Sequence, residues 1–403
     1  MFLKGAPPPI RRGKPLNVYM DHGAARPVDP RVLETMKPYF SHSFGNPSSF
    51  HGKGFDAQRA MRQSRERVAS LIGADSSEIV FTSSATESNN LGITGAVRRY
   101  RKRGNRIVIS NIEHISVMNV GKELYREGFE IKYIPVDREG LIELDALEEL
   151  INDKTILVSV MAANGEIGTI QPIKKIAEVA HERGALFHSD ATAASGQIPI
   201  DVSETGVDLL TMSSNDLYGP KGVGALYVKK GLRVRPQMLG GGQEGGARSG
   251  SENIPGIVGM GMAAELAQEE LEAESKRLKG LRDVLIEGLV EAVPESYLNG
   301  HPIERLPNNA NVRFSYIEGE SLILSLDQLG IQVSSGSACT AKTLEPSHVL
   351  RALGLKHEEA HGSLVFTLGK DNREEHVEYV IQQMPDVVRR LRAMSPLTPE
   401  ELR

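Results

Sequence analysis

Residues 155–213 read TILVSVMAANGEIGTIQPIKKIAEVAHERGALFHSDATAASGQIPIDVSETGVDLLTMS. Three runs in this stretch, Thr155–Met161, Ala185–Ser189 and Leu209–Ser213, are short and mostly apolar, without strict alternation. Such runs suit strands buried on both faces. Between the first two lies Pro172–Arg183, whose apolar residues recur at helical spacing. Strand, amphipathic helix and strand in succession predict a parallel sheet joined by crossover helices. The same pattern extends outward. Upstream strands are expected at Glu78–Thr82, Arg106–Ser110 and Glu130–Val136, and one more downstream at Gly224–Val228. Helical patterns fill the gaps at Asp56–Ile72, Glu87–Tyr100, Ser116–Glu127 and Glu143–Ile151. The fold class is therefore α/β, a mostly parallel sheet of seven strands with helices on both faces.

After the Gly-rich stretch Leu239–Gly250 the pattern changes. A long helical segment runs from Glu252 to about Val293, and the chain closes with a helix over Glu374–Met394. The 403 residues are too many for one compact core and suit two domains. The expected division is a flexible arm over 1–16, a segment 17–29 joining the small domain, a large α/β domain over 30–265, and a small α+β domain over 266–403. The net charge of −5, without a large basic block, argues against nucleic-acid binding by phosphate neutralisation. No apolar run approaches the length of a membrane span. The Pro-rich arm carries Lys4, Arg11, Arg12 and Lys14 but no apolar core, so it does not read as a secretory signal. With one cysteine there is no internal disulfide framework and no multi-cysteine metal site within one chain, and a cytoplasmic location is expected.

In open α/β sheets ligands gather at the carboxyl ends of the strands. Several ends here carry polar clusters. Ala85 and Thr86, after Thr82-Ser83-Ser84, open a helix whose first amides could hold a phosphate or simply be capped. Glu113-His114, Asn164-Gly165-Glu166 and His188-Ser189-Asp190 follow three other strands. A buried Asp190 requires a cationic or hydrogen-bonding partner. Ser213-Ser214-Asn215-Asp216 follows a fifth strand. Cys339 lies in Ser334–Lys342, a small, polar stretch whose neighbours cannot bury it. An accessible thiol is the better reading than a core filler.

Taken in order, these pieces resemble the cysteine desulfurases of scaffold-assisted iron–sulfur assembly. The resemblance runs from Met20-Asp21 to Ser395-Pro396-Leu397. It includes Phe44-Gly45-Asn46-Pro47-Ser48-Ser49 with His51, Ala85-Thr86-Glu87-Ser88-Asn89-Asn90, Gly240-Gly241-Gly242-Gln243-Glu244, Arg248-Ser249-Gly250, Ser335-Gly336-Ser337-Ala338-Cys339 and Leu344-Glu345-Pro346-Ser347-His348. It implies the type I fold of pyridoxal-phosphate (PLP) enzymes and a homodimer. It also implies phosphate contacts from Ala85, Thr86 and Ser213, and from Ser251 of the opposite subunit. His114 would stack on the cofactor ring, Asp190 would partner its pyridine nitrogen, and Asn164 would lie near its phenolic oxygen. Cys339 matches the cysteine that carries sulfur as a persulfide, and Arg392–Leu397 resembles the tail that docks an IscU-type scaffold.

The chain departs from the family where the chemistry is most demanding. The family's Schiff-base motif is Ser-x-His-Lys. Here it reads Ser213-Ser214-Asn215-Asp216, so Asp216 replaces the lysine and Asn215 the histidine. Lys221 matches a second lysine that the family also carries. Ala193 stands where the family has a glutamine, and Val365 where it has the arginine that clamps the substrate carboxylate. A carboxylate can neither form the imine nor shuttle the α-proton as an amine does. The segments Ser213–Gly222, Arg305–Asp327 and Lys356–Gly362 resemble archaeal members with Asp at the lysine position. That resemblance implies a complex with an IscU-type scaffold in which Cys339 is one ligand of a shared [2Fe–2S] cluster. PLP, where bound, would then not be a lysine aldimine. Two alternatives stand beside this reading: a working PLP desulfurase converting L-cysteine to L-alanine with sulfur passing to Cys339, and a non-catalytic binding homologue.

Overall fold

The structure, a computed structural model, describes residues 16–336 and 346–402. Seven strands form the main sheet: β1 (Ile79–Thr82), β2 (Arg106–Ser110), β3 (Glu130–Ile134), β4 (Thr155–Ser159), β5 (Leu186–Asp190), β6 (Leu209–Ser213) and β7 (Gly224–Val228). Their spatial order is β1-β7-β6-β5-β4-β2-β3. All neighbours are parallel except β7, which runs antiparallel to both β1 and β6. The mostly parallel α/β fold expected from the sequence is therefore present.

Two strand ends fall two residues short of expectation, and the other differences are of one residue. β3 stops at Ile134 because Pro135 has no N–H to continue the ladder, and Val136 instead bridges Ile142. β4 ends at Ser159, although Val160 and Ala162 still donate to the His188 and Asp190 carbonyls.

Each central strand feeds two cores, which is why its sequence does not alternate. Ile107 and Ile109 pack beneath α2 (Ala85–Arg99) and α3 (Ile115–Arg126), with Val97, Val120 and Leu124. Val108, between them, enters the opposite core with Val158, Phe187 and Leu210. On that side lie α1 (Gly52–Leu71) and the start of α4 (Ile254–Ala292).

At 39 residues, α4 extends roughly 58 Å, enough to serve two cores. Ile257, Met260 and Ala264 pack on the sheet, whereas Leu278, Leu281, Leu285 and Leu289 face a second core. There they meet Val377, Val380, Met384 and Val387 of α5 (Glu374–Met394). The second core lies on a small antiparallel sheet of β8 (Ser296–Leu298), β9 (Asn309–Phe314) and β10 (Ser363–Thr367), in the order β10-β9-β8. Val18 and Met20 insert into this core, and Val18–Tyr19 pairs in parallel with Ile331–Gln332. Val349, Leu350 and Leu353, although late in the chain, pack into the main-sheet core. The expected arm over 1–16 lies almost wholly outside the described residues. No described helix is long and apolar enough to cross a membrane.

Candidate functional site

A cavity of about 320 Å³ opens at the carboxyl edge of the main sheet. Its walls are the segments that leave the strands: Ile112-Glu113-His114 after β2, Met161–Glu166 after β4, Asp190 at the end of β5, and Asn215-Asp216 after β6. Ala85 and Thr86 contribute the first turn of α2. Ser334, Gly336, Ser347, His348, Val365 and Thr367 close it from the side of the small sheet. Parallel strands all end on the same edge, so residues far apart in sequence converge there.

Asp190 is buried and accepts from Asn89 Nδ2 at 2.7 Å and from the Thr192 amide at 2.9 Å. Asn89 Nδ2 also donates to Ser116 Oγ at 3.0 Å, and Ser116 Oγ lies 2.8 Å from His114 Nδ1. The Ser116 amide donates to His114 Nδ1, so His114 caps α3 and a neutral ring carries its proton on Nε2. One polar chain thus joins Asp190 to the imidazole at the cavity mouth. Asn164 donates to the Ile112 carbonyl and accepts from the Glu166 and Ile167 amides, which folds the loop after β4 into a tight turn.

Asp216 is buried in a short helical turn, Asn215–Leu217. Burial raises its pKa, opposed by the charge of Arg26 and by hydrogen bonds from Ser213 and Asn215. The turn ends at Tyr218, a non-glycine residue at φ 60°. That conformation costs about 1–2 kcal/mol and persists where the surroundings over-determine it. Here Arg26 and Lys370 lie over the Tyr218 ring at 5.2 and 5.0 Å, and the Lys370 amide donates to the phenolic oxygen at 2.9 Å.

Of the residues singled out from the sequence, Ala85, Thr86, His114, Asn164, Asp190, Asn215 and Asp216 line this one cavity, with Val365 and Ala193. Ser213 does not line it and touches it only through Asp216. Ser251 is exposed and lines a separate cleft with Ser83 and Arg248. Cys339 lies outside the described residues. Three groups went unselected in the sequence. Arg26 is buried and donates to the Asp216 and His22 carbonyls, Asn89 joins the relay, and Glu113 is a fully buried acid. Glu113, an acid three residues past an apolar strand, and Asn89, within the stretch Ala85–Asn90, left a sequence signal, whereas Arg26 left none.

Glu113 Oε1 accepts from Ser110 Oγ at 2.6 Å and from the Met161 amide at 2.7 Å, while Oε2 has no partner among the described residues. Burial pushes its pKa up to about 8. Between the ordinary carboxyl value and about 8 the unfolded chain is ionised at this residue and the folded one protonated. Folding takes up a proton in that window, so stability falls as pH rises through it. Glu113→Gln, an isostere of the protonated acid, is expected to be more stable than the parent at pH 8 by about 2 kcal/mol, with the gap closing near pH 5. Thermal unfolding at the two pH values measures this, and an equal difference at both would refute it.

The matched family model is the class-V aminotransferase, over residues 18–380. The chain belongs to that class of protein, whose membership implies PLP use. It is 56% identical over 94% of its length, and 99% of the relative's, to the cysteine desulfurase IscS 1 of Archaeoglobus fulgidus. It is 50% identical to the cysteine desulfurase IscS of Methanosarcina thermophila, covering 96% of this chain and 95% of that one. A solved NifS-like protein superposes with a TM-score of 0.87 at 39% identity, over 93% of this chain and 99% of its own. Within the class, then, the chain is a member of the cysteine desulfurase family of the IscS/NifS type.

The residues present fit one half of PLP. Asp190 offers a carboxylate to a ring nitrogen, and the first amides of α2 offer donors to a phosphate. The covalent half does not fit. Among the described residues lining the cavity there is no lysine and no arginine, whereas Asp21, Glu113, Glu166, Asp190 and Asp216 are all acids. Lys221 Nζ donates instead to the Arg26 carbonyl at 2.9 Å, and Lys221 is absent from the lining. The described lining therefore supplies no amine for a covalent link and no guanidinium for a substrate carboxylate.

Proposed function

We propose that this protein is an iron–sulfur assembly member of the cysteine desulfurase family in which PLP chemistry is lost or impaired. It docks an IscU-type scaffold, and Cys339 serves as a persulfide carrier or as one ligand of a shared [2Fe–2S] cluster. The observation that carries this reading is the buried carboxyl of Asp216, in a described lining without lysine or arginine, where family chemistry needs an amine. Thiolates are the usual ligands of such clusters, and a chain with one cysteine must share the cluster with another chain.

Two surface features support partners. Phe40, Phe44, Phe50 and Phe55 are exposed, Phe50 by 95%, which favours a homodimer that covers them. Ser251, away from the cavity of its own chain, is then free to serve the other subunit. In the C-terminal tail Met394 and Leu397 are also exposed and available to a scaffold. Arg392, by contrast, is buried and bonds the Ser315 and Glu295 carbonyls, so it anchors the tail.

The test is anaerobic cluster reconstitution with a scaffold protein and the full-length chain. The complex is expected to hold iron and sulfide stably, and Cys339→Ser is expected to lose most of that content. Equal iron in the Cys339→Ser complex would rule out the ligand role. An alternative reading, a PLP-dependent cysteine desulfurase, draws on the retained Asp190 and α2 amides and on the relatives' names. It predicts steady sulfide release from L-cysteine when PLP is added.

A further inference from the structure

The cavity lining combines two polarities. Asp21, Glu113, Glu166, Asp190 and Asp216 make one part acidic. Ala85 and Thr86 make another part the start of α2, a helix of 15 residues whose first amides have no carbonyl of their own helix to bond. Within the acidic part the charges act on one another. That of Asp190 raises the pKa of both Glu113 and Asp216, adding to the effect of burial. A cation among these carboxyl groups relieves that repulsion.

Buried atoms in the same lining stand open. Glu113 has no exposed surface, its Oε1 is taken by Ser110 and the Met161 amide, and its Oε2 has no partner among the described residues. Glu166 Oε1 and Thr192 Oγ1 are likewise buried without a partner among the described residues, and both residues line the cavity. Buried polar atoms are as a rule hydrogen-bonded, so these three point to an occupant that meets them. At about 320 Å³ the space is that of a small organic molecule and not of a bare ion. An occupant matched to both parts of the lining carries a phosphate for the α2 amides and an ammonium group for the acids. The amine form of the cofactor, pyridoxamine 5′-phosphate, carries both. In PLP an uncharged aldehyde stands in place of the ammonium.

Among the acids, Asp216 is the one best able to meet that ammonium. Burial pushes Asp21, Glu113 and Glu166 toward the protonated form. Asp190 is already engaged by Asn89 and the Thr192 amide. At Asp216 burial is opposed by the charge of Arg26 and by hydrogen bonds from Ser213 and Asn215, which favour the ionised carboxylate. We propose that the cavity holds pyridoxamine 5′-phosphate without a covalent link and in preference to PLP, with the Asp216 carboxylate as the partner of its ammonium group. Such occupancy rests on the reading that PLP chemistry is lost, and it names what the retained half of the cofactor site then binds.

Isothermal titration calorimetry of the extensively dialysed full-length protein tests this with three phosphates. Pyridoxamine 5′-phosphate, pyridoxine 5′-phosphate and PLP differ only in the group on one ring carbon, which is an ammonium, an alcohol or an aldehyde. The alcohol is the clean comparison, because the aldehyde also reacts with surface lysines. The amine is expected to bind at least about tenfold more tightly than the alcohol, the order set by one charge-assisted hydrogen bond. Asp216→Asn, similar in shape but uncharged, is expected to bring the amine within about threefold of the alcohol while leaving the affinity for the alcohol nearly unchanged. Thermal unfolding checks that the variant folds, and if it does not, the comparison of ligands on the parent decides alone. An amine bound no more tightly than the alcohol overturns the proposal, as does absence of binding by all three or a folded Asp216→Asn protein that keeps the full preference. Binding requires no Cys339, scaffold or iron. Failure here is therefore distinct from failure of the Cys339→Ser reconstitution and from sulfide release on adding PLP.

Discussion

Asp216→Lys, combined with Asn215→His and Val365→Arg, is expected to give a protein that binds PLP covalently and releases sulfide from L-cysteine at least about a hundredfold faster than the parent. The parent cavity offers a carboxylate and helix amides that fit a ring nitrogen and a phosphate, but no described amine beside them. A lysine at 216 leaves from the same buried turn that now carries the aspartate, with Ser213 and Asn215 already in contact with that position. Val365 lines the cavity and is 4% exposed, so an arginine there is directed toward bound substrate and supplies the bidentate donor a carboxylate needs. The three changes are coupled. Lysine alone is expected to give the visible absorption of lysine-linked PLP with little turnover, because the substrate carboxylate still meets no guanidinium among the described lining residues. Absorption spectra on PLP addition and a sulfide assay measure both parts. If the parent already shows the lysine-linked band or comparable turnover, the proposed loss of PLP chemistry is wrong.

Arg26→Ala is expected to lower folding stability by about 3 kcal/mol or more. The guanidinium is buried and donates to two backbone carbonyls, those of His22 (at 3.1 Å) and Asp216, and it lies over the Tyr218 ring. Truncation leaves both carbonyls without that donor and removes one of the two cations holding Tyr218 in its left-handed conformation. It also removes the charge that opposes the upward shift of the Asp216 carboxyl, so Asp216 is expected to become still harder to ionise. Arg26→Lys keeps the charge but not the planar fork, and is expected to recover only part of the loss. A change in stability below about 1 kcal/mol for Arg26→Ala, by chemical denaturation, would show that this contact set is not what holds the Asp216 turn.

The fold was legible because burial on both sheet faces leaves a mark in the chain. The run Ile107–Ile109 is apolar throughout because Ile107 and Ile109 serve one core and Val108 the other. The ends of elements were less legible. Pro135 closes β3 by lacking a donor, and β4 loses its strand character after Ser159 although its hydrogen bonds to β5 continue.

The candidate site was legible where a residue is chemically required at a strand end, as with Asp190, His114 and Asp216, since parallel strands bring those ends together. By itself the sequence determined the α/β class, the family, the single thiol and the carboxyl group at position 216, because these follow from residue identity and local period. Only the tertiary structure decided which groups act on one another across long separations. Arg26 reaches Asp216, Asn89 joins Asp190 to His114 through Ser116, and Glu166 accepts from Ser347. Those contacts carry no period and no local propensity. They exist because the folded chain brings remote backbone and side-chain groups within hydrogen-bonding distance in a buried place, where each polar group must find a partner or act on its neighbours without one.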